Sequence, residues 1–153
     1  MKAFKTILSY FLLGLRFAAG ALFIYSALLK LIQPIEYFQF AIRLYEIVPE
    51  SLVPWVALVM PWAELIGGIF LFMGYLSRPA AWLLVGLVGL FQIVIGQAVF
   101  RELPIEECGC FGGLVHFSPC QTYVFDSVIL LALLALAFTK RHPLSLDSIL
   151  LDS

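Results

Sequence analysis

PWVALVMPWAELIGGIFLFMGYLSRPAAWLLVGLVGLFQIVIGQAVF, residues Pro54 to Phe100, decides the fold. It holds two apolar runs, Pro54 to Tyr75 and Pro79 to Phe100, parted only by Leu76, Ser77 and Arg78. A helix rises ~1.5 Å per residue, so ~20 residues cross a ~30 Å hydrocarbon core. Each run is long enough, and a turn this short makes the two helices antiparallel neighbours; Gly67 and Gly68 in the first, and Gly86, Gly89 and Gly96 in the second, are expected to allow close backbone approach.

Working outward, a further apolar run extends from about Ile7 to Leu29, and another from about Thr122 to Thr139. The last is a few residues short, and Lys140 and Arg141 can snorkel to cover the difference. The expected spans are therefore about 7–29, 54–75, 79–100 and 122–139. The fold class is an all-α integral membrane protein: four transmembrane helices in an antiparallel bundle, forming one domain over residues 1–153.

Composition agrees. The 153 residues are 63% hydrophobic and only 12% charged, with a mean hydropathy of +1.04. A soluble domain is about half apolar and about a quarter charged. The excess cannot be hidden inside so small a globule, so the lipid bilayer is the expected partner. A net charge of −1 offers no basic face, and no nucleic acid is expected. Lys2 and Lys5 before the first run, and Ala18-Ala19-Gly20-Ala21 within it, resemble a signal peptide. Arg16 interrupts that pattern, and apolar residues continue to Leu29, which favours a retained helix.

Orientation follows the basic residues of the flanks. Lys2, Lys5, Arg78, Lys140 and Arg141 fall on one side, the cytoplasm. The other side receives Lys30, Arg43 and Arg101, diluted by Glu36, Glu46, Glu50, Glu102, Glu106 and Glu107. Both termini are then cytoplasmic and the loop before the last span is outside. In the first outer loop, Ile35, Phe38, Ile42 and Tyr45 recur at helical spacing between Pro34 and Pro49. This predicts a short amphipathic helix, either lying on the interface or capping the bundle.

Two charges fall deep in the spans. Arg16 and Glu64 each lie nine residues into their run, from opposite ends. Counting from the run ends sets both ~14 Å deep, where a lone charge costs at least ~2.5–3.5 kcal/mol. The expectation is an Arg16–Glu64 pair, as a structural pin or as a proton or quinone site. Lys30 is expected to snorkel outward. Asp126 lies one turn into the last span, and Gln97 and Arg101 are one turn apart at the outer end of the third. Arg16, Glu64, Gln97 and Asp126 are the candidates for cofactor binding.

All three cysteines fall in the outer loop and the start of the last span, as Cys108-Gly109-Cys110-Phe111-Gly112-Gly113 and Cys120. Disulfides persist outside the cytoplasm. Cysteines one residue apart close a small, strained ring, which favours exchange with other thiols. Three pairings are open, each leaving one thiol over, as a relay requires. Cys108, Cys110 and Cys120 are the candidate catalytic residues. A structural bridge from Cys120 to Cys108 or Cys110 is the competing reading. Cys108, Cys110, His116 and Cys120 also compose a zinc set, but their spacing is not that of a zinc ribbon, and no metal is expected. Glu106 and Glu107 raise the thiol pKa beside them.

The run Cys108-Gly109-Cys110-Phe111-Gly112 before the last of four spans resembles the methylamine-utilisation MauE family, related to the DoxX-like membrane proteins. Arg16, Gly20 and Lys30, with Pro61-x-x-Glu64-x-x-Gly67, are similar to the DoxX pattern. Cys120 stands outside that motif. The resemblance implies a polytopic membrane protein serving thiol-disulfide chemistry with a thioredoxin-like extracytoplasmic partner, as in maturation of a disulfide-rich methylamine dehydrogenase subunit. The layout is also similar to membrane disulfide-generating quinone reductases, so a membrane quinone is the candidate cofactor. The expected function is disulfide exchange for client maturation, a thiol-disulfide oxidoreductase. The alternatives are a non-enzymatic assembly factor with a structural disulfide, and a small transporter using Arg16 and Glu64.

Overall fold

Chains of apolar residues in hydrocarbon must satisfy every backbone N–H and C=O internally, and helices do so. The computed structural model describes residues 2–101 and 119–139. These form five helices: α1 (Lys2–Ile32), α2 (Ile35–Leu44), α3 (Val53–Met73), α4 (Ser77–Phe100) and α5 (Pro119–Phe138). Four contain stretches long and apolar enough to span: Ser9–Ile32, Val53–Met73, Ser77–Phe100 and Gln121–Phe138. No more than 33% of any of these spans is buried within the protein. Side chains such as Ile93, Leu131 and Phe138 are about two-thirds bare, a surface that suits lipid and not water. The four expected spans are all present, with ends shifted by a few residues.

Gly74 ends α3 with φ at 73°. Tyr75 N–H reaches the Phe70 carbonyl at 3.1 Å and Gly74 N–H that of Leu71 at 3.3 Å, a Schellman closure that glycine accommodates. Leu76, also at positive φ (48°), completes the reversal into α4.

Close backbone approach sets the register of α1 on α3. A Cβ on Gly20 would stand 2.8 Å from the Phe72 Cβ, and one on Gly68 3.0 Å from the Ile24 nitrogen. Each turn up α1 therefore meets one turn down α3. Gly67 packs on Leu84 in the same way, 3.0 Å from its Cδ2. The other glycines expected at helix contacts divide: Gly96 meets Tyr123 at 3.4 Å, whereas Gly86 and Gly89 have nothing within 4 Å. Gln92, on α4, donates from Nε2 to the Tyr123 carbonyl (3.1 Å) and Ser127 Oγ (2.9 Å) of α5. The main core, built from small and branched residues such as Ala19, Leu71, Ala81, Leu84, Leu133 and Ala137, joins α1, α3, α4 and α5. Tight apposition of this kind substitutes for the hydrophobic drive absent in lipid.

The α1–α3 register has a consequence at the end of the bundle where α1 stops and α3 starts. Val53 to Val59 of α3 reach past the end of α1, and α2 fills the space. Phe38 and Ile42 pack on Val53 and Ala57, while Tyr45 packs on Ile95 and Ala98. The amphipathic helix expected from the spacing is thus a cap seated on the bundle. An exposed ion pair, Arg43 Nε to Glu50 Oε2 at 3.0 Å, ties its end to the linker. Exposed pairs contribute at most ~1 kcal/mol.

Candidate functional site

Glu64 belongs to one stripe of α3. Ala57, Pro61, Glu64, Gly67, Gly68 and Leu71 recur at helical spacing and are all buried. The stripe points a carboxylate into the bundle, where an uncompensated charge is costly. Its partner is Lys30. The ammonium Nζ donates to both Glu64 oxygens at 2.7 Å, and the two side chains are 3% and 5% exposed. Ser26, one turn below Lys30 on α1, donates from Oγ to Glu64 Oε2 at 3.4 Å.

The expected Arg16–Glu64 pair is not what the bundle brings together: Glu64 is engaged by Lys30. Arg16 is buried, with its guanidinium 5.1 Å from the centre of the Phe17 ring. With Gly20 against Phe72, Arg16 lies level with the α3–α4 turn near Leu76. It is separated from Lys30 by fourteen residues of one helix, ~21 Å. Depth counted from the ends of apolar runs assumed that α1 and α3 begin and end together. They do not. Lys30, expected to snorkel outward, lies under α2 and turns inward instead.

Asp126 joins the same place from α5. It lines a cavity of ≈ 40 Å³ together with Ser26, Lys30, Glu64, Phe91 and apolar residues of α1, α4 and α5. A water needs ~10–15 Å³ of such space, so two or three fit. Two rings flank the ammonium: Lys30 Nζ stands 5.5 Å from the Phe38 centroid and 5.4 Å from that of Phe91. Cation–π attraction adds to the salt bridge in this buried setting. Phe38 comes from α2, so the cap also roofs the charge. The arrangement can hold a proton donor or acceptor, and it can offer hydrogen bonds to a polar group arriving from the membrane.

At the C-terminal end of α4, the Gln97 amide oxygen accepts from the Arg101 guanidinium at 3.0–3.1 Å in its satisfied orientation. The pair expected one turn apart is therefore in contact. It does not belong to the Lys30 cluster. Cys108, Cys110 and His116 lie outside the described residues, and Cys120 falls in the first turn of α5. Three of the four members of the alternative zinc set therefore lie outside the described residues. The α5 backbone carries Cys120 six residues from Asp126, ~9 Å along the helix. Sequence reasoning missed Ser26 and the inward turn of Lys30. The available signal was the spacing of Ser26 and Lys30 on one face of α1.

Residues 8–139 match the sequence model of the family described as methylamine utilisation protein MauE. No curated protein and no solved structure gives a significant match.

Proposed function

The chain belongs to the MauE family, and from that premise we propose that it is a membrane accessory protein that exchanges disulfides with a thioredoxin-like partner outside the cytoplasm. Its clients are proteins whose maturation needs correctly paired cysteines, of the kind that a methylamine-utilisation system contains. Cys108 and Cys110 are the exchanging pair, and Cys120 is the resolving or structural thiol.

The observation that carries this reading is the confinement of all three cysteines to Cys108–Cys120, between the end of α4 and the first turn of α5. A thiolate of the pair attacks a disulfide sulfur of the partner. One sulfur–sulfur bond breaks and a mixed disulfide forms, releasing a partner thiolate that takes up a proton. The second cysteine then attacks the mixed disulfide and releases the partner's other thiolate. Two electrons move to the partner, and a new disulfide stays on this chain. The reverse sequence delivers a disulfide to the partner. Gly109 supports the pair, because a residue without Cβ eases a tight backbone.

The test uses the full chain in detergent, reduced, against an oxidised thioredoxin-fold protein. Alkylation and mass analysis then count free thiols on both proteins. The expected result is loss of two thiols here for every two gained by the partner, abolished by Cys108→Ser or Cys110→Ser. A mixed disulfide should accumulate when the second cysteine of the Cys108/Cys110 pair is replaced. Unchanged thiols on both sides, with a bridge from Cys120 to Cys108 or Cys110 that survives the reductant, would make the bridge structural and the protein a non-enzymatic assembly factor.

A further inference from the structure

α2 is the short helix that roofs Lys30, and a joint stands at each of its ends. Pro34, with ψ at 133°, turns the chain out of helix between α1 and α2. At the other end Glu46 holds φ at 52°, a left-handed conformation that glutamate seldom adopts. Glu46 closes the helix there, its N–H reaching the Arg43 carbonyl at 3.0 Å. Backbone strain of this kind persists only where surrounding contacts enforce it. Displacement of α2 would release it.

The contacts that enforce it are weak in this solvent. Phe38 and Ile42 pack on Val53 and Ala57, which belong to the spanning stretch Val53–Met73. α2 therefore lies at the depth of the α3 span. Tyr37 and Phe40 of α2 are 68% and 61% exposed, so apolar side chains point away from the bundle as well as toward it. In water, the hydrophobic effect would oppose parting Phe38 and Ile42 from α3. Lipid tails solvate the same groups, and that opposition is lost. What remains besides packing is the exposed ion pair of Arg43 Nε with Glu50 Oε2 at 3.0 Å, a minor restraint. Phe38 carries α2 to the charged pocket, its ring centre 5.5 Å from Lys30 Nζ.

We propose that α2 is a lid, hinged at Pro34 and Glu46, whose opening lifts Phe38 from Lys30 and admits water and small polar molecules to the cavity of Ser26, Lys30, Glu64 and Asp126. With the lid shut, the Lys30 and Glu64 side chains are 3% and 5% exposed. The cavity of ≈ 40 Å³ limits what enters to a few heavy atoms. No cysteine takes part, so the lid does not depend on disulfide exchange.

A thiol placed in the pocket reads the lid. Ser26→Cys is introduced into a Cys108→Ser/Cys110→Ser/Cys120→Ser full chain in lipid nanodiscs, and its reaction with methyl methanethiosulfonate is timed. The expected reaction is slow. Phe38→Ala removes the roof and should speed it about tenfold. Glu50→Gln breaks the exposed ion pair and should speed it about threefold. Glu46→Asn puts a residue suited to the left-handed conformation at the hinge, favours the shut position and should slow the reaction about threefold. Opposite effects from Glu46 and Glu50, two exposed residues, are what a lid produces. A static cap would respond to Phe38→Ala alone, so rates unmoved by both Glu46→Asn and Glu50→Gln would overturn the proposal. So would a rate unmoved by Phe38→Ala, which would mean that the pocket is reached by a route that α2 does not cover.

Discussion

At the scale of single residues, Lys30 and Glu64 carry most of what distinguishes this bundle from an inert one. Neither charge is tolerable alone in hydrocarbon, and each makes the other tolerable at 2.7 Å. Removing one partner leaves the other buried without compensation, which costs ~3–5 kcal/mol. Lys30→Met should lower the unfolding free energy in detergent by about that amount. Glu64→Leu alone should do the same, while Lys30→Met combined with Glu64→Leu should recover most of the loss, since the polar cost disappears with both groups. Thermal unfolding followed by helicity measures all three. Additive losses in the double variant would mean that the two side chains act apart from each other. Ser26, 3.4 Å from Glu64, is the weaker contact, and Ser26→Ala should cost ~1 kcal/mol or less.

Between elements, the decisive contact is α1 against α3, and here the reach of sequence reasoning can be judged. The spans were legible because a run of apolar residues is a local property, and α2 was legible because Ile35, Phe38, Ile42 and Tyr45 repeat at helical spacing. The Lys30–Glu64 pair was not. Its existence depends on Gly20 lying on Phe72 and Gly68 on Ile24, contacts between residues far apart in the chain. A count from the ends of hydrophobic runs carries no register. Gly86 and Gly89 show the same gap from the other side: they read as packing glycines, yet nothing stands within 4 Å of a Cβ at either. The cysteine motif stands out in the sequence, but Cys108 and Cys110 lie outside the described residues. These contacts make a sharp expectation. A Cβ at Gly20 would meet both the backbone and Cβ of Phe72 below 3.0 Å, so Gly20→Ala must push the helices apart, at ~1–3 kcal/mol. Gly86→Ala, facing open space, should be neutral or slightly stabilising through its helix propensity. Unfolding of the two variants side by side tests this. Equal effects would mean that Gly20 does not set the approach.

For the molecule as a whole, the question is which end faces out. Antiparallel register puts the α3–α4 turn at one end and the α4–α5 connection at the other. Arg78, in that turn, donates from Nε to the Ala137 carbonyl at 3.4 Å, close to where α5 ends. The basic residues Lys140 and Arg141 follow directly in the chain. The short turn after α3 and the residues that directly follow α5 are thus basic in sequence, as cytoplasmic flanks are. The opposite end carries Arg43 beside Glu50 and leads into the loop with Glu102, Glu106 and Glu107. The expectation is that the loop bearing Cys108 and Cys110 is extracytoplasmic, where its disulfides would persist. In intact spheroplasts treated with a mild reductant, a membrane-impermeant maleimide should label these cysteines without permeabilisation. A single cysteine introduced as Ser77→Cys, in a Cys108→Ser/Cys110→Ser/Cys120→Ser chain, sits fully buried and makes a poor reporter. Thr139→Cys, at the partly open end of α5, serves instead and should react only after permeabilisation. Reversal of the two patterns would place the thiols in a reducing compartment, and disulfide exchange with an extracytoplasmic partner would then have no physical route.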